Sequence, residues 1–221
     1  MDWKIVVAAP LVAYLVVANA ATLKIPHNWG TDAHAPTSHA YLMGLDPEVT
    51  FNGKPALAVR ATQPVRDVDY GAATQYLDAF GYEGRHVRFS GMLKTSDAST
   101  WAGIFMRANN SALRNWEFAD AQSLPRGSAA TTGTSDWHPV SVVVVVPANP
   151  GATMDMGLML VGNGQAWLSD LKFEEVGDDV PLTATTIGLD VAKLAQERKE
   201  GDERRAATRI KQVPDNLELK P

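Results

Sequence analysis

The sequence predicts an all-β protein, built as an antiparallel β-sandwich or barrel. Between residues 27 and 176 the apolar stretches are short, and turn-forming residues separate them. Several stretches alternate apolar and polar residues, which is typical of strands with one buried face. No amphipathic segments of helical length alternate with them, so a parallel α/β sheet is not expected.

The expected strands are placed by their alternation and by the turns between them. Asn52-Gly53 lies between two apolar runs, which is a strong signal for a two-residue hairpin. Val87, Phe89 and Leu93 share one face, which we expect to be buried. Residues 142–146 are all valine and are expected to form a covered, central strand. The candidate strands are 41–45, 48–51, 56–59, 72–77, 85–95, 101–108, 140–146, 154–161 and 165–175.

The first twenty residues are expected to be a signal peptide. Lys4 gives a weakly positive start, an apolar run covers residues 5–17, and Ala18-Asn19-Ala20 has the small-x-small pattern of a cleavage site. The alternative is an uncleaved membrane anchor, because residues 5–21 reach the lower limit of length for spanning a bilayer. In either case residues 21–176, the expected β domain, lie outside the cytoplasm, and we expect a periplasmic or secreted protein.

The composition changes after residue 176. Residues 177–221 are expected to be a linker and a charged tail, with a partly helical stretch over 190–212 that is rich in Lys, Arg, Glu, Gln and Ala. The apolar positions of this tail form only a weak stripe, so we expect it to be solvated and dispensable for the fold. A helix that binds a protein partner is the alternative.

Composition and motifs exclude several functions. The chain has 20 Lys and Arg against 25 Asp and Glu, a formal net charge of −5, which argues against a nucleic-acid binder. It has no cysteine, so disulfides and Cys-ligated metals are excluded. Because nucleophile, P-loop and zinc-protease motifs are also missing, we expect no enzyme activity. His27, His34, His39 and Asp32 lie close together, but their spacing matches no metal motif, so neither a metal nor another cofactor is expected.

Four stretches resemble the strands of bacterial jelly-roll modules: residues 84–95 (GRHVRFSGMLKT), 101–107 (WAGIFMR), 133–147 (GTSDWHPVSVVVVVP) and 162–174 (GNGQAWLSDLKFE). Together with Asn52-Gly53-Lys54 they cover about residues 41–176. The pattern is similar to carbohydrate-binding modules of the galactose-binding-domain-like class. This resemblance implies that residues 21–176 form an antiparallel β-sandwich of the jelly-roll type. Relatives of such modules occur beside transcriptional regulators, membrane-bound sensors and carboxy-terminal-processing peptidases. The family has paired acids in its closing strand where this chain has Ser169-Asp170, so the resemblance does not carry over a structural calcium.

The resemblance implies a non-catalytic extracytoplasmic module that binds a carbohydrate or another polar small ligand. The alternative is a structural or sensory protein-interaction domain of an envelope regulatory system, with a partner bound through the 177–221 tail.

One strand face is the candidate ligand site. In strand 101–108 the even-numbered residues are all apolar and are assigned to the core, whereas the odd-numbered residues mix aromatic rings with a cation. Aromatic stacking and arginine hydrogen bonds suit a polyol or an acidic sugar. In the alternative, Trp101 and Phe105 pack beneath a loop and Arg107 pairs with an acid. The expected ligand-binding residues are Trp101, Phe105, Arg107, Arg88, Gln75, Trp116, Asp120 and Asp155.

Two further tryptophans are expected to pack. Trp167 shares strand parity with Leu171 and Phe173, which predicts a place in the core. Trp137 precedes the buried valine strand and is expected to pack beside it.

Overall fold

The computed structural model describes residues 23–110, 115–119, 130–146, 153–183 and 211–221 of the chain. The expected signal peptide over residues 1–20, Asp120 and most of the expected helical stretch 190–212 lie outside the described residues. The described ranges contain nine strands and a short 3-10 helix, Ala35–Ala40. The strands are β1 (Gly30–Ala33), β2 (Tyr41–Phe51), β3 (Lys54–Ala61), β4 (Tyr70–Asp78), β5 (His86–Asn110), β6 (Asn115–Ala119), β7 (Ala130–Val145), β8 (Thr153–Val161) and β9 (Gln165–Val176).

The strands form one curled antiparallel sheet with the order β1-β4-β8-β5-β9-β3-β2, and β6 and β7 also pair with β5. The predicted all-β antiparallel class is therefore confirmed. In the part of the chain that the structure describes, no helix is long and apolar enough to cross a membrane.

Strand β5 joins the two layers of the sandwich. It is 25 residues long. Its first half pairs with β7 and β9, and its second half pairs with β8 and β6. The register against β7 is irregular between Leu93 and Ala102, and Asp97 has a φ of 52°. The sequence predicted two separate strands here, whereas the structure shows one strand that bends from one layer into the other.

The core lies between these layers and follows the predicted alternation. The apolar faces of both halves of β5 and of β8 are completely buried, because each strand points every second side chain inward. Residues 142–146 are buried, as predicted, but β7 is not central. Its outer edge is covered by Thr183, whose backbone N–H donates to the Val143 carbonyl at 3.0 Å. The buried core residues of β5 and β8 are Val87, Phe89, Leu93, Ala102, Ile104, Met106, Ala108, Met154, Met156, Leu158 and Leu160.

Two turns depend on residues with positive φ. Asn52 and Gly53 both have positive φ, 49° and 77°, which is the two-residue hairpin that joins β2 to β3. The turn between β8 and β9 passes very close to the bend of β5. A Cβ atom on Gly164 would lie 2.4 Å from the Asp97 carbonyl oxygen, so only glycine fits there.

The last eleven described residues pack back onto the sandwich. Leu219 is only 1% exposed and belongs to the main core, and Leu217 packs against it. The Trp29 indole N–H donates to the Asn216 carbonyl at 3.3 Å, and Lys211 lies 3.9 Å from the centre of the Tyr82 ring. The expectation that the whole of 177–221 is solvated is therefore wrong for residues 211–221, whereas the dispensability of the tail stays a prediction. Leu219 is the one buried side chain of this segment, and one leucine produces no periodic stripe in the sequence.

Trp167 is buried, but not in the main core as predicted. β9 carries one extra residue between Ser169 and Lys172 relative to β5, which is a β-bulge. The bulge changes which side chains face inward, so Trp167 and Leu171 lie on opposite faces of β9 despite their equal parity. Trp167 forms a second, smaller cluster with Ala56 and Ala58, against which Leu23, Val49 and Trp137 pack.

Asp46 anchors this second cluster. Its carboxylate accepts the Trp167 indole N–H at 2.8 Å and an Arg60 guanidinium N–H at 3.2 Å. It also accepts the backbone N–H groups of Glu48 and Val49. A buried carboxylate with this many donors is satisfied, so Asp46 is structural.

Candidate functional site

The outward-facing side of β1, β4, β8 and the second half of β5 carries most of the predicted site. The register places Asp155 between Arg107 and Tyr76, and places Val161 between Trp101 and Tyr70. We call this surface the polar-aromatic face and define it by Asp32, Tyr70, Tyr76, Trp101, Phe105, Arg107 and Asp155.

An ion pair dominates one end of the polar-aromatic face. Arg107 donates from Nε and Nη2 to the two carboxylate oxygens of Asp155, at 2.8 Å and 2.7 Å. Such a two-bond pair fixes the plane of the guanidinium. Burial raises the pKa of Asp155 above its usual value, and Arg107 opposes that rise. The hydrogen bond to Asp155 in turn raises the pKa of Arg107.

Access to the polar-aromatic face differs between its two sides. Tyr76 on β4 is 59% exposed and Tyr70 is half-buried. On β5, Trp101 is only 8% exposed and Phe105 is buried. The Trp101 indole N–H is buried and finds no hydrogen-bond partner among the described residues. The ring surface that a ligand can reach therefore belongs mainly to β4, while Arg107 keeps about a quarter of its side chain exposed (27%).

Sequence reasoning missed Tyr70 and Tyr76 and considered Asp32 only as a metal ligand. The signal was present, because Tyr70, Tyr76 and Asp78 share parity along β4. Burial and the negative charge of Asp32 both raise the pKa of Tyr70. Asp32 on β1 also acts on Tyr76, Arg107 and Asp155, which shows that these side chains form one electrostatic cluster.

Gln75 does not join this surface. It pairs with Met156 in the register and points to the core side of β4, opposite to Tyr76. Its side-chain amide donates to the backbone carbonyl of Asp215. The prediction that Gln75 lies on the polar-aromatic face is wrong. Its side chain is buried on the core side of β4, where its polar partner comes from the far end of the chain.

Arg88 is also separated from the polar-aromatic face. It lies in the first half of β5, in the other layer of the sandwich, and donates to Glu174 at 2.8 Å. The expectation that Arg88 and Arg107 line one surface is wrong, because β5 bends between them. Arg88 instead lines an open groove of about 510 Å³, together with Ser90, Gly91, Met92, Pro139, Val140, Ser141, Asp170, Lys172 and Glu174.

The two remaining candidates lie in the segment between β5 and β7. The backbone of Trp116 lies on β6, opposite Asn109. Asp120 lies outside the described residues, so both stay predictions.

One histidine of the cluster considered for a metal, His34, contacts a buried aspartate. His34 Nδ1 lies 2.7 Å from Asp69, and Arg66 binds the same buried carboxylate through two N–H groups. The Arg66 hydrogen bonds hold the pKa of Asp69 well below its usual range. Within the described ranges, no three His, Cys, Asp or Glu side chains gather as a metal site would require.

The closing-strand pair Ser169-Asp170 is occupied by protein contacts. Ser169 is buried and donates to the Pro55 carbonyl at 2.7 Å. Asp170 accepts the Lys54 ammonium in an ion pair. A lysine thus neutralises the one carboxylate of this pair.

Comparison with known proteins gives one similar curated sequence. No protein-family model matches the chain. An uncharacterized HTH-type transcriptional regulator of Bacillus subtilis (strain 168), YbfP, is 32% identical over 142 residues, which cover 64% of this chain and 46% of that protein. The chain thus matches about half the length of this relative.

Solved structures with a similar fold are carbohydrate-binding modules. The CBM22-1 xylan-binding domain of Paenibacillus barcinonensis Xyn10C has 11% identity and a TM-score of 0.45, covering 66% of this chain and 86% of that one. The C-terminal family 22 module of Clostridium thermocellum Xyn10B has 10% identity and a TM-score of 0.46, covering 70% and 89%. Likeness at this level says nothing about what this chain binds.

Proposed function

We propose that this protein is a non-catalytic, extracytoplasmic module that binds a carbohydrate or another polar small ligand on its polar-aromatic face. The observation that carries the proposal is Tyr76, an aromatic ring that is 59% exposed near the end of β4. A large exposed ring beside a rigid polar group is a feature of binding sites, because it offers apolar contact and hydrogen bonds together.

The arrangement suits a ligand with many hydroxyl groups. The Tyr76 and Tyr70 rings offer faces on which the C–H surface of a sugar ring can stack. The Arg107–Asp155 pair holds charged hydrogen-bonding groups in fixed positions beside them. Because the pair is rigid before the ligand arrives, little conformational entropy is lost when it binds.

A binding role outside the cytoplasm is supported by the first twenty residues, with their apolar run and small-x-small site. The absence of catalysis is proposed from the sequence, which carries no nucleophile motif, and from the resemblance to modules that bind without catalysing. Amino-terminal sequencing of protein from envelope fractions tests the export step. The mature chain is expected to begin at Ala21. Mature material that retains Met1 would indicate a membrane anchor instead.

A glycan array followed by calorimetry tests the binding role. We expect at least one glycan class to bind, and Tyr76→Ala to weaken that binding at least fivefold, roughly 1 kcal/mol. Tyr76→Phe keeps the ring and should retain most of the affinity. Val68→Ala is the control, because Val68 is 70% exposed and lies outside the polar-aromatic face. A null result across all glycans, or full affinity in Tyr76→Ala, contradicts the proposal.

A second candidate is a sensory or structural protein-interaction domain of an envelope regulatory system. The observation that favours it is the 32% identity with a transcriptional regulator. Its test is a pull-down with the full chain and with a variant that lacks residues 184–210. That deletion keeps the core residue Leu219 in the chain. Thermal unfolding of the variant at the same temperature as the full chain is the control that makes loss of a partner a binding effect and not a folding effect.

A further inference from the structure

The polar-aromatic face and its margin carry more negative than positive charge. Asp32, Asp155 and Asp78 all lie at outward-facing positions of β1, β8 and β4. Among the described outward-facing positions of β1, β4, β8 and the second half of β5, Arg107 is the only cation. Because Arg107 and Asp155 compensate each other, the half-buried Asp32 gives this surface its negative potential, which attracts cations and repels anions.

The single cation of this surface, as the described residues define it, is already engaged. Asp155 takes two N–H groups of Arg107 at 2.8 Å and 2.7 Å, so the pair compensates its own charge. A carboxylate on a ligand would have to displace Asp155 from this two-bond arrangement. Asp155 is buried, and a buried carboxylate that loses its partner is costly. An anionic ligand therefore gains little from Arg107.

Asp32 is in the opposite situation. It is half-buried at the edge strand β1, where the Tyr70 hydroxyl donates a hydrogen bond to it and its charge acts on Arg107, but no cation within the described residues forms a salt bridge with it. Its charge acts on the Tyr70 and Tyr76 rings, which lie on the neighbouring strand. Aromatic faces also attract cations, so a carboxylate beside tyrosines favours a positively charged group over a neutral one.

Resting on the proposed function, we propose that Asp32 makes the polar-aromatic face select sugars that carry a protonated amine over sugars that carry a carboxylate. The ammonium group donates a hydrogen bond to the Asp32 carboxylate, and the sugar ring stacks on tyrosine. The acidic sugar that the sequence also suggested is disfavoured, because Asp32 repels it and Asp155 already occupies Arg107.

Calorimetry with three tetrasaccharides at pH 6 and low salt tests this inference. The probes are the tetramers of glucosamine, N-acetylglucosamine and galacturonic acid, which are cationic, neutral and anionic. We expect the full chain to bind the glucosamine tetramer at least fivefold tighter than the galacturonic acid tetramer, and added salt to reduce the difference. Asp32→Asn should weaken binding of the glucosamine tetramer about fivefold, because a charge-assisted hydrogen bond becomes a neutral one.

The control variant is Asp179→Asn, which removes an exposed carboxylate after β9, away from the polar-aromatic face. It should bind all three tetramers like the parent. Equal affinity for the cationic and anionic tetramers, or unchanged binding in Asp32→Asn, overturns the inference. If only neutral glycans bind, the inference fails while the proposed function stands. If no glycan of the array binds, both fail.

Discussion

Leu219 offers the sharpest test of how the end of the chain contributes to stability. It is 1% exposed and lies in the main core, although it is close to the last residue of the sequence. Replacing a fully buried leucine with alanine removes its transfer energy and leaves a cavity, which costs about 2–5 kcal/mol. Its neighbourhood is a terminal segment that can partly collapse into the gap, so we expect a value of about 2–3 kcal/mol.

The assay is thermal and urea unfolding followed by circular dichroism. For a domain of this size, 2–3 kcal/mol corresponds to a drop in Tm of roughly 4–12 °C. Val213→Ala is the matched control, because Val213 lies in the same segment but is 71% exposed. It should change the stability by no more than about 0.5 kcal/mol. If Leu219→Ala melts within about 1 °C of the parent, residues 211–221 do not contribute to the core.

Two further predictions concern buried carboxylates. Asp69 has a pKa that Arg66 holds below its unfolded value, so the unfolded state binds more protons in acid. The free energy of unfolding should therefore fall as the pH drops below about 4, the usual aspartate pKa. Asp69→Asn should reduce this pH dependence in urea titrations between about pH 5 and 2. An unchanged pH dependence in the variant would refute the role of Asp69. Trp167→Phe removes the donor at 2.8 Å from Asp46, and this should cost about 1–3 kcal/mol by chemical unfolding. A neutral effect would show that water or Arg60 replaces the indole N–H.

The parts of the fold that could be predicted are those that depend on neighbouring residues. The alternation in β5 and β8 indicated the core side of each strand, because side chains point to opposite faces in turn. The hairpin at Asn52-Gly53 followed from the positive φ that both positions require. The shared face of Arg107 and Asp155 followed from two strand faces being placed side by side, and their ion pair agrees with the alternative in which Arg107 pairs with an acid.

The parts that could not be predicted depend on contacts between distant residues. Arg88 and Arg107 share a strand, but the bend in β5 puts them in different layers. Trp167 lies on the opposite face of β9 from the one predicted, because β9 contains one extra residue relative to β5. Gln75 is buried because Asp215 supplies its partner from 140 positions away. No local pattern predicts these contacts between distant residues. The sequence alone therefore predicted the fold class, but only some residues of the polar-aromatic face.

The most direct test of the central claim is to map the bound ligand by NMR. A glycan selected on the array is titrated into labelled protein, and the amide shifts are followed along β1, β4, β8 and β5. We expect the largest changes in amide chemical shift at Asp32, Tyr70, Tyr76 and Arg107. Changes confined to the groove around Ser90, Ser141 and Lys172, with Tyr76 unmoved, would contradict it.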